Sequence, residues 1–113
     1  MDRLNLLLAH AWMVRTFLKH AEEAQADEEM MEVHRLIFDT VRAVEGSFQR
    51  RDTQDYLRRI KGKLPKLRRM ADFFVREYRR VSDHTNFQMA ALSLQGCVRQ
   101  IEEVLQAISN PSV

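Results

Sequence analysis

The chain has 113 residues, 45% of them apolar and 30% charged, with three glycines and two prolines. That is the length of one domain, with enough apolar side chains for a buried core and a composition that excludes a disordered or low-complexity chain. The formal net charge of +2 conceals an asymmetry: residues 1–49 hold nine acids against five bases, whereas residues 58–80 hold ten bases against two acids.

The apolar spacing predicts a first helix from about Arg3 to Ala24, with Asp2 as its N-cap. Leu4, Leu7, Leu8, Ala11, Val14 and Leu18 form the main stripe, and Leu6, Met13 and Phe17 carry apolarity onto a second side. A surface helix needs only one stripe, so this one is either central or part of a contact between subunits. Arg15 falls by angle among Leu4, Leu8, Ala11 and Leu18. A buried guanidinium is costly without a counter-charge, and Glu45 and Glu102 are its candidate partners, with a side chain snorkelling to a subunit edge as the other solution. The opening apolar run is interrupted by Asn5, His10, Arg15 and Lys19 and has no small-residue cleavage site, so it reads as mature structure. No 18-residue apolar segment is present, and a cytoplasmic protein that does not enter the membrane is expected.

A second helix is predicted from Asp27, its cap, to about Phe48, with Glu28 and Glu29 in a first turn that favours negative charge. Met30, Val33, Ile37, Val41, Val44 and Phe48 make its core stripe, and Glu32, Arg35, Asp39 and Arg42 a solvated face. Residues Gln49 to Thr53 connect it to the third helix, which Asp52 or Thr53 caps.

The third helix is the longest element. Leu57, Ile60, Leu64, Leu67, Ala71, Phe74, Tyr78 and Val81 recur at alternating spacings of three and four, an apolar seam at helical period. The seam keeps phase across Gly62 and Pro65. Proline inside a helix removes a backbone donor and clashes with the preceding turn, so a kink in one rod, or two collinear helices, is expected near Pro65. The outer arc of this helix carries Arg58, Arg59, Lys61, Lys63, Lys66, Arg68, Arg69, Arg76, Arg79 and Arg80, and the same angular reckoning puts Phe73 among these arginines.

After a turn at Ser82–Asn86, a fourth helix runs from about Asn86 to Ile108 on Phe87, Ala91, Leu94, Val98, Ile101, Leu105 and Ile108. From His84 to Val98 the chain contains no Asp, Glu, Lys or Arg. An uncharged stretch of that length points to contact on two sides, so a homo-oligomer through the first and fourth helices is expected. The fold expected is all-α, an antiparallel four-helix bundle in one domain over residues 1–109, followed by a short disordered tail at 110–113.

Residues with catalytic chemistry do not assemble into a known pattern. The residues three before His10, His20, His34 and His84 are Leu7, Phe17, Met31 and Val81, so the Glu-x-x-His pairs of carboxylate-bridged metal bundles are missing. Cys97 is the only cysteine, which excludes an internal disulfide and fits a buried thiol in a reducing compartment. No glycine-rich phosphate loop occurs. These observations predict no metal, no cofactor and no catalytic residue.

Two segments, Arg15 to His20 and Arg79 to His84, place an arginine and a histidine with four residues between them. That spacing resembles the Arg-x4-6-His signature of the HEPN ribonucleases, small helical domains that dimerise and cleave RNA. The likeness covers six residues, and Arg80 stands where that family usually has a small polar residue. It would imply Arg79 and His84 acting on a scissile phosphate across a dimer interface.

The basic arc carries the functional expectation. Arg58, Arg59, Lys61, Lys66, Arg68, Arg69, Arg76, Arg79 and Arg80, with Phe73 as an aromatic anchor, form the expected partner-binding face. It suits either an acidic protein surface, which would make the chain a non-catalytic adaptor, scaffold or regulatory subunit, or a nucleic-acid backbone.

Overall fold

A computed structural model describes residues 1–109, which form five helices and no strand. They are α1 (Asp2–His20), α2 (Glu22–Gln25), α3 (Glu28–Gln49), α4 (Thr53–Val81) and α5 (Thr85–Ser109). The tail expected at 110–113 lies outside the described residues.

The first predicted helix is shorter than its pattern suggests. α1 stops at His20 because Ala21 leaves the helical region with φ −90° and ψ 118°. A single turn, α2, follows, and its Ala24 is fully buried. Asp2 is not the cap: it lies inside the first turn, and its carboxylate accepts a hydrogen bond from the Arg51 guanidinium at 2.7 Å. Asp27 does cap the next helix, accepting from the Met30 N–H at 2.9 Å. The Arg80 guanidinium on that carboxylate, and then the Met30 N–H, hold Asp27 below the usual carboxylate range.

The α3–α4 connection contains no glycine, yet its geometry is the one glycine usually supplies. Arg51 adopts a left-handed φ of 55°. The Asp52 N–H donates to the Ser47 carbonyl at 2.9 Å and the Arg51 N–H to the Phe48 carbonyl at 3.1 Å, closing the end of α3 as a Schellman motif. The guanidinium of Arg51 lies 4.6 Å from the Phe48 ring centroid, a contact that offsets part of the ~1 kcal/mol a side chain costs in this conformation. Asp52 then caps α4 through the Asp55 N–H at 3.1 Å.

α4 is one unbroken helix through Gly62 and Pro65. Pro65 and Lys61 are both exposed, so the carbonyl that loses its helical donor lies toward water. A Cβ built on Gly62 meets nothing within 4 Å. Gly62→Ala should therefore stabilise the protein by about 0.5–1 kcal/mol, through helix propensity alone. Chemical denaturation with unchanged helicity checks it.

α1 and α4 each pack against both α3 and α5. Leu4, Leu18, Met30, Val33, Ile37, Val44, Tyr56, Ile60, Phe74, Leu94 and Ile101 form the fully buried centre, each contributing on the order of 1.5–3 kcal/mol by leaving water. Two buried hydroxyls in this core are partnered: Thr40 donates to the Leu36 carbonyl at 2.8 Å, and Ser47 donates to the Asp55 carboxylate. The Tyr56 hydroxyl donates to Asn5 at 3.3 Å, and burial pushes its ionisation up to about 12. Among the described residues no helix is long and apolar enough to cross a membrane.

Candidate functional site

The seam of α4 turns inward as its spacing requires: Ile60, Leu67, Ala71, Phe74 and Tyr78 are buried, and Leu57, Leu64 and Val81 half-buried. This leaves the opposite arc to solvent. Of the ten cations between 58 and 80, all are exposed except the half-buried Lys63. At 1.5 Å per residue the 29-residue helix is roughly 43 Å long, matching the molecule's longest dimension of 44 Å.

Four of these cations meet acids of their own chain. Arg58 and Arg59 both pair with Asp55, the latter at 2.8 Å. Arg68 crosses to Glu102 on α5 at 2.9 Å. Arg80 reaches Asp27, with Glu29 and Glu77 at 3.9 and 3.8 Å. Hydrogen bonds from Ser47, Arg59 and Arg58 hold the Asp55 carboxyl well below the usual range, so it stays charged at any physiological pH. Pairs this exposed contribute about 0–1 kcal/mol each and leave most of the field unneutralised.

The other six, Lys61, Lys63, Lys66, Arg69, Arg76 and Arg79, have no carboxylate of the described residues within ion-pair distance. Arg79 donates to the Tyr78 hydroxyl at 3.2 Å. Lys66, Arg69 and Met70 also form one wall of a groove of about 370 Å³ between α3 and α4, faced by Glu32, Arg35, Leu36 and Asp39.

Phe73 departs from expectation. It is 8% exposed and belongs to the core, so it is not an aromatic anchor on the ridge. Its position is seven residues before Arg80, on the same side of α4, and Arg80 reaches the start of α3. Phe73 lies beneath Arg76, whose guanidinium is 5.9 Å from its ring centroid.

Arg15 is buried as its angle requires, at 7% exposure, but neither expected carboxylate reaches it. Glu45 pairs with Arg42 and Glu102 with Arg68. Instead the guanidinium lies 4.0 Å from the Trp12 ring centroid and 5.4 Å from that of Phe38. Aromatic faces supply the negative potential that the missing acid would have supplied. The i, i+3 spacing of Trp12 and Arg15 contains this signal, since such pairs share a helix face.

His20 and His84, the histidines of the two Arg-x4-His segments, line one cleft with Phe17, Glu22, Glu23, Ser82 and Phe87. His84 Nδ1 accepts from the Asn86 N–H at 3.0 Å. The arginines of those segments point elsewhere, Arg15 onto Trp12 and Arg79 onto Tyr78. No group of three or more His, Cys, Asp or Glu among the described residues is placed to hold a metal ion.

The remaining surface feature is apolar. Among the described residues the exposed large hydrophobic side chains are Leu6 and Met13 on α1 and Met89, Leu92 and Ile108 on α5. A groove of about 370 Å³ between these helices is lined by Arg3, Leu6, His10, Leu92, Ser93, Gly96 and Gln100, with Leu7 and Cys97 at its base. Cys97 is buried and donates to the Leu7 carbonyl, and burial pushes its thiol up to about 11, which makes it unreactive at neutral pH.

Comparison with protein-family models, with curated proteins and with solved structures finds no match to this chain.

Proposed function

We propose that this chain is a non-catalytic adaptor or regulatory subunit: an antiparallel four-helix bundle that docks an acidic protein surface through the α4 ridge and pairs with a second copy through α1 and α5. The observation that carries the docking role is the set of six ridge cations with no carboxylate of the described residues within ion-pair distance. A surface arranged for its own stability would interleave acids with those bases, as Glu32–Arg35 and Arg42–Glu45 do on α3. An uncompensated ridge instead raises the local concentration of an acidic partner and fixes its register.

The bundle arrangement is supported by contacts that run in opposite directions along neighbouring helices. Arg3, Leu7 and Phe17 meet Gln100, Cys97 and Phe87 in turn, and Asp27 and Ser47 meet Arg80 and Asp55. A bend at Pro65 is the expected accommodation of proline in so long a helix. A lone buried thiol suits the reducing cytoplasm.

Self-pairing rests on the α1/α5 face. It is roughly 28 Å long and about 20 Å wide, on the scale of the ~800 Å² that each partner of a stable pair buries. Its α5 half lies largely within the stretch without Asp, Glu, Lys or Arg, so a second copy meets it without desolvating many charges. The ridge lies on α4, away from that face, and two ridges would not be pressed together.

Nucleic acid is the second reading, favoured by the length of the ridge. The burial of Phe73 weighs against it, because the ridge then presents no ring on which a base could stack. Glu32, Asp39 and Asp72 beside the cations would also repel a phosphodiester backbone, whereas a protein surface can carry matching bases.

Affinity capture from native lysate, with and without nuclease, separates the readings. The adaptor should retain the same protein after nuclease treatment, and Arg69→Glu/Arg76→Glu should weaken that complex at least about thirtyfold, two reversed charges at ~1 kcal/mol or more each. Capture that vanishes with nuclease, or affinity for single-stranded RNA falling with a log–log salt slope of about −0.7 per phosphate, would assign the ridge to nucleic acid.

A further inference from the structure

We propose a binding site for a phosphate-type oxyanion between α1 and α3, built on Arg15 and His34. Three buried nitrogens have no hydrogen-bond partner among the described residues, Arg15 Nε and both ring nitrogens of His34, and the Arg15 charge is felt at the imidazole. His34 and Phe38 are one turn apart on the same face of α3, and Arg15 lies over Phe38, so imidazole and guanidinium are neighbours. An orphaned buried polar group costs about 1–3 kcal/mol, and an oxyanion can accept from Arg15 Nε and from whichever ring nitrogen of His34 carries the proton, relieving both side chains at once.

The guanidinium is already oriented. Trp12 and Phe38 hold its plane, and Nη1 donates to the Thr16 hydroxyl at 3.3 Å, which itself donates to the Trp12 carbonyl at 3.0 Å. Nε and Nη2 remain, the side of the fork that takes two oxygens of one oxyanion. Lys19 from α1 and Arg35 from α3 add their positive fields at His34 together with Arg15. Burial and those three cations hold the imidazole below its ordinary ionisation range, so without an anion it is neutral near pH 7. An anion on Arg15 reverses the local potential and favours the imidazolium, which adds a third donor. A tetrahedral oxyanion has a third oxygen for that donor, and a carboxylate held by both oxygens on the fork does not. This site is separate from the α4 ridge, and its existence does not depend on the docking role.

Sulfate, whose charge is constant over the range of interest, is the probe. In the intact protein, the Arg15 Nε–H and His34 ring resonances should shift saturably, with half-saturation below about 5 mM, while α4 arginines shift weakly and without saturation. Binding should be at least about threefold tighter near pH 5.5 than near pH 7.5, since bound anion and imidazolium favour each other. His34→Gln should abolish that pH dependence while leaving the neutral-pH affinity within about twofold. Arg15→Lys should weaken binding at least about tenfold at both pH values. If the Arg15 and His34 signals move only in step with the α4 arginines, or if chloride at equal ionic strength produces the same shifts, the proposal is overturned. Acetate saturating the same resonances at equal or lower concentration would also overturn it, by assigning the site to carboxylates.

Discussion

Phe74→Ala should destabilise the protein by about 3–5 kcal/mol, a large part of the ~5–15 kcal/mol that holds a domain together. Phe74 is fully buried on the α4 seam, and α4 packs against both α3 and α5, so the cavity opens where the remaining helices cannot easily close it. The midpoint of thermal unfolding should fall by about 15–25 °C. Lys66→Ala, on the exposed arc of the same helix, should change stability by less than about 0.5 kcal/mol. Calorimetry of the two variants side by side tests whether α4 is the two-sided rod on which the ridge depends. A small loss for Phe74→Ala would mean that the seam is not the core.

The legible part of this fold is the part governed by period. The seam from Leu57 to Val81 and the stripe from Met30 to Val44 turn inward in the structure because a helix repeats every 3.6 residues whatever its surroundings. The cap at Asp27 is equally visible and that at Asp52 is one of two candidates with Thr53, since caps are local devices. What escaped depends on neighbours. The break at Ala21 carries no Gly or Pro, and the left-handed residue ending α3 is Arg51, so the usual punctuation of a helix end is missing at both places. Phe73 shares an angle with the ridge arginines and is nonetheless buried, with Arg76 over its ring, because a single-helix projection does not contain the neighbouring helices. For Arg15 the angle gave the burial but not the partner. A search for carboxylates overlooks the faces of Trp12 and Phe38, although both are within reach of a guanidinium. The ridge was legible as a run of charge. Which of its members would be neutralised was not, because Arg68 and Arg80 find their acids 34 and 53 residues away.

Leu6→Glu/Leu92→Glu should turn the proposed dimer into a monomer without unfolding it. In the single chain these side chains are 56% and 49% exposed, so the carboxylates cost little there and the helical signal should be unchanged. In a symmetric pair four of them enter one apolar contact, and an unpaired carboxylate held out of water costs several kcal/mol. Even at ~1.5 kcal/mol each, self-affinity falls at least about a thousandfold. Sedimentation equilibrium should give twice 13.4 kDa for the parent protein and 13.4 kDa for the variant. Arg58→Glu, on the ridge, should leave the parent mass intact and separates loss of a specific face from a general change in charge. A parent protein that is monomeric at about 100 μM would remove the paired arrangement, leaving the ridge as a docking surface on a single chain. If the variant keeps the double mass, the copies meet elsewhere, and the exposed leucines of α1 and α5 belong to a different partner.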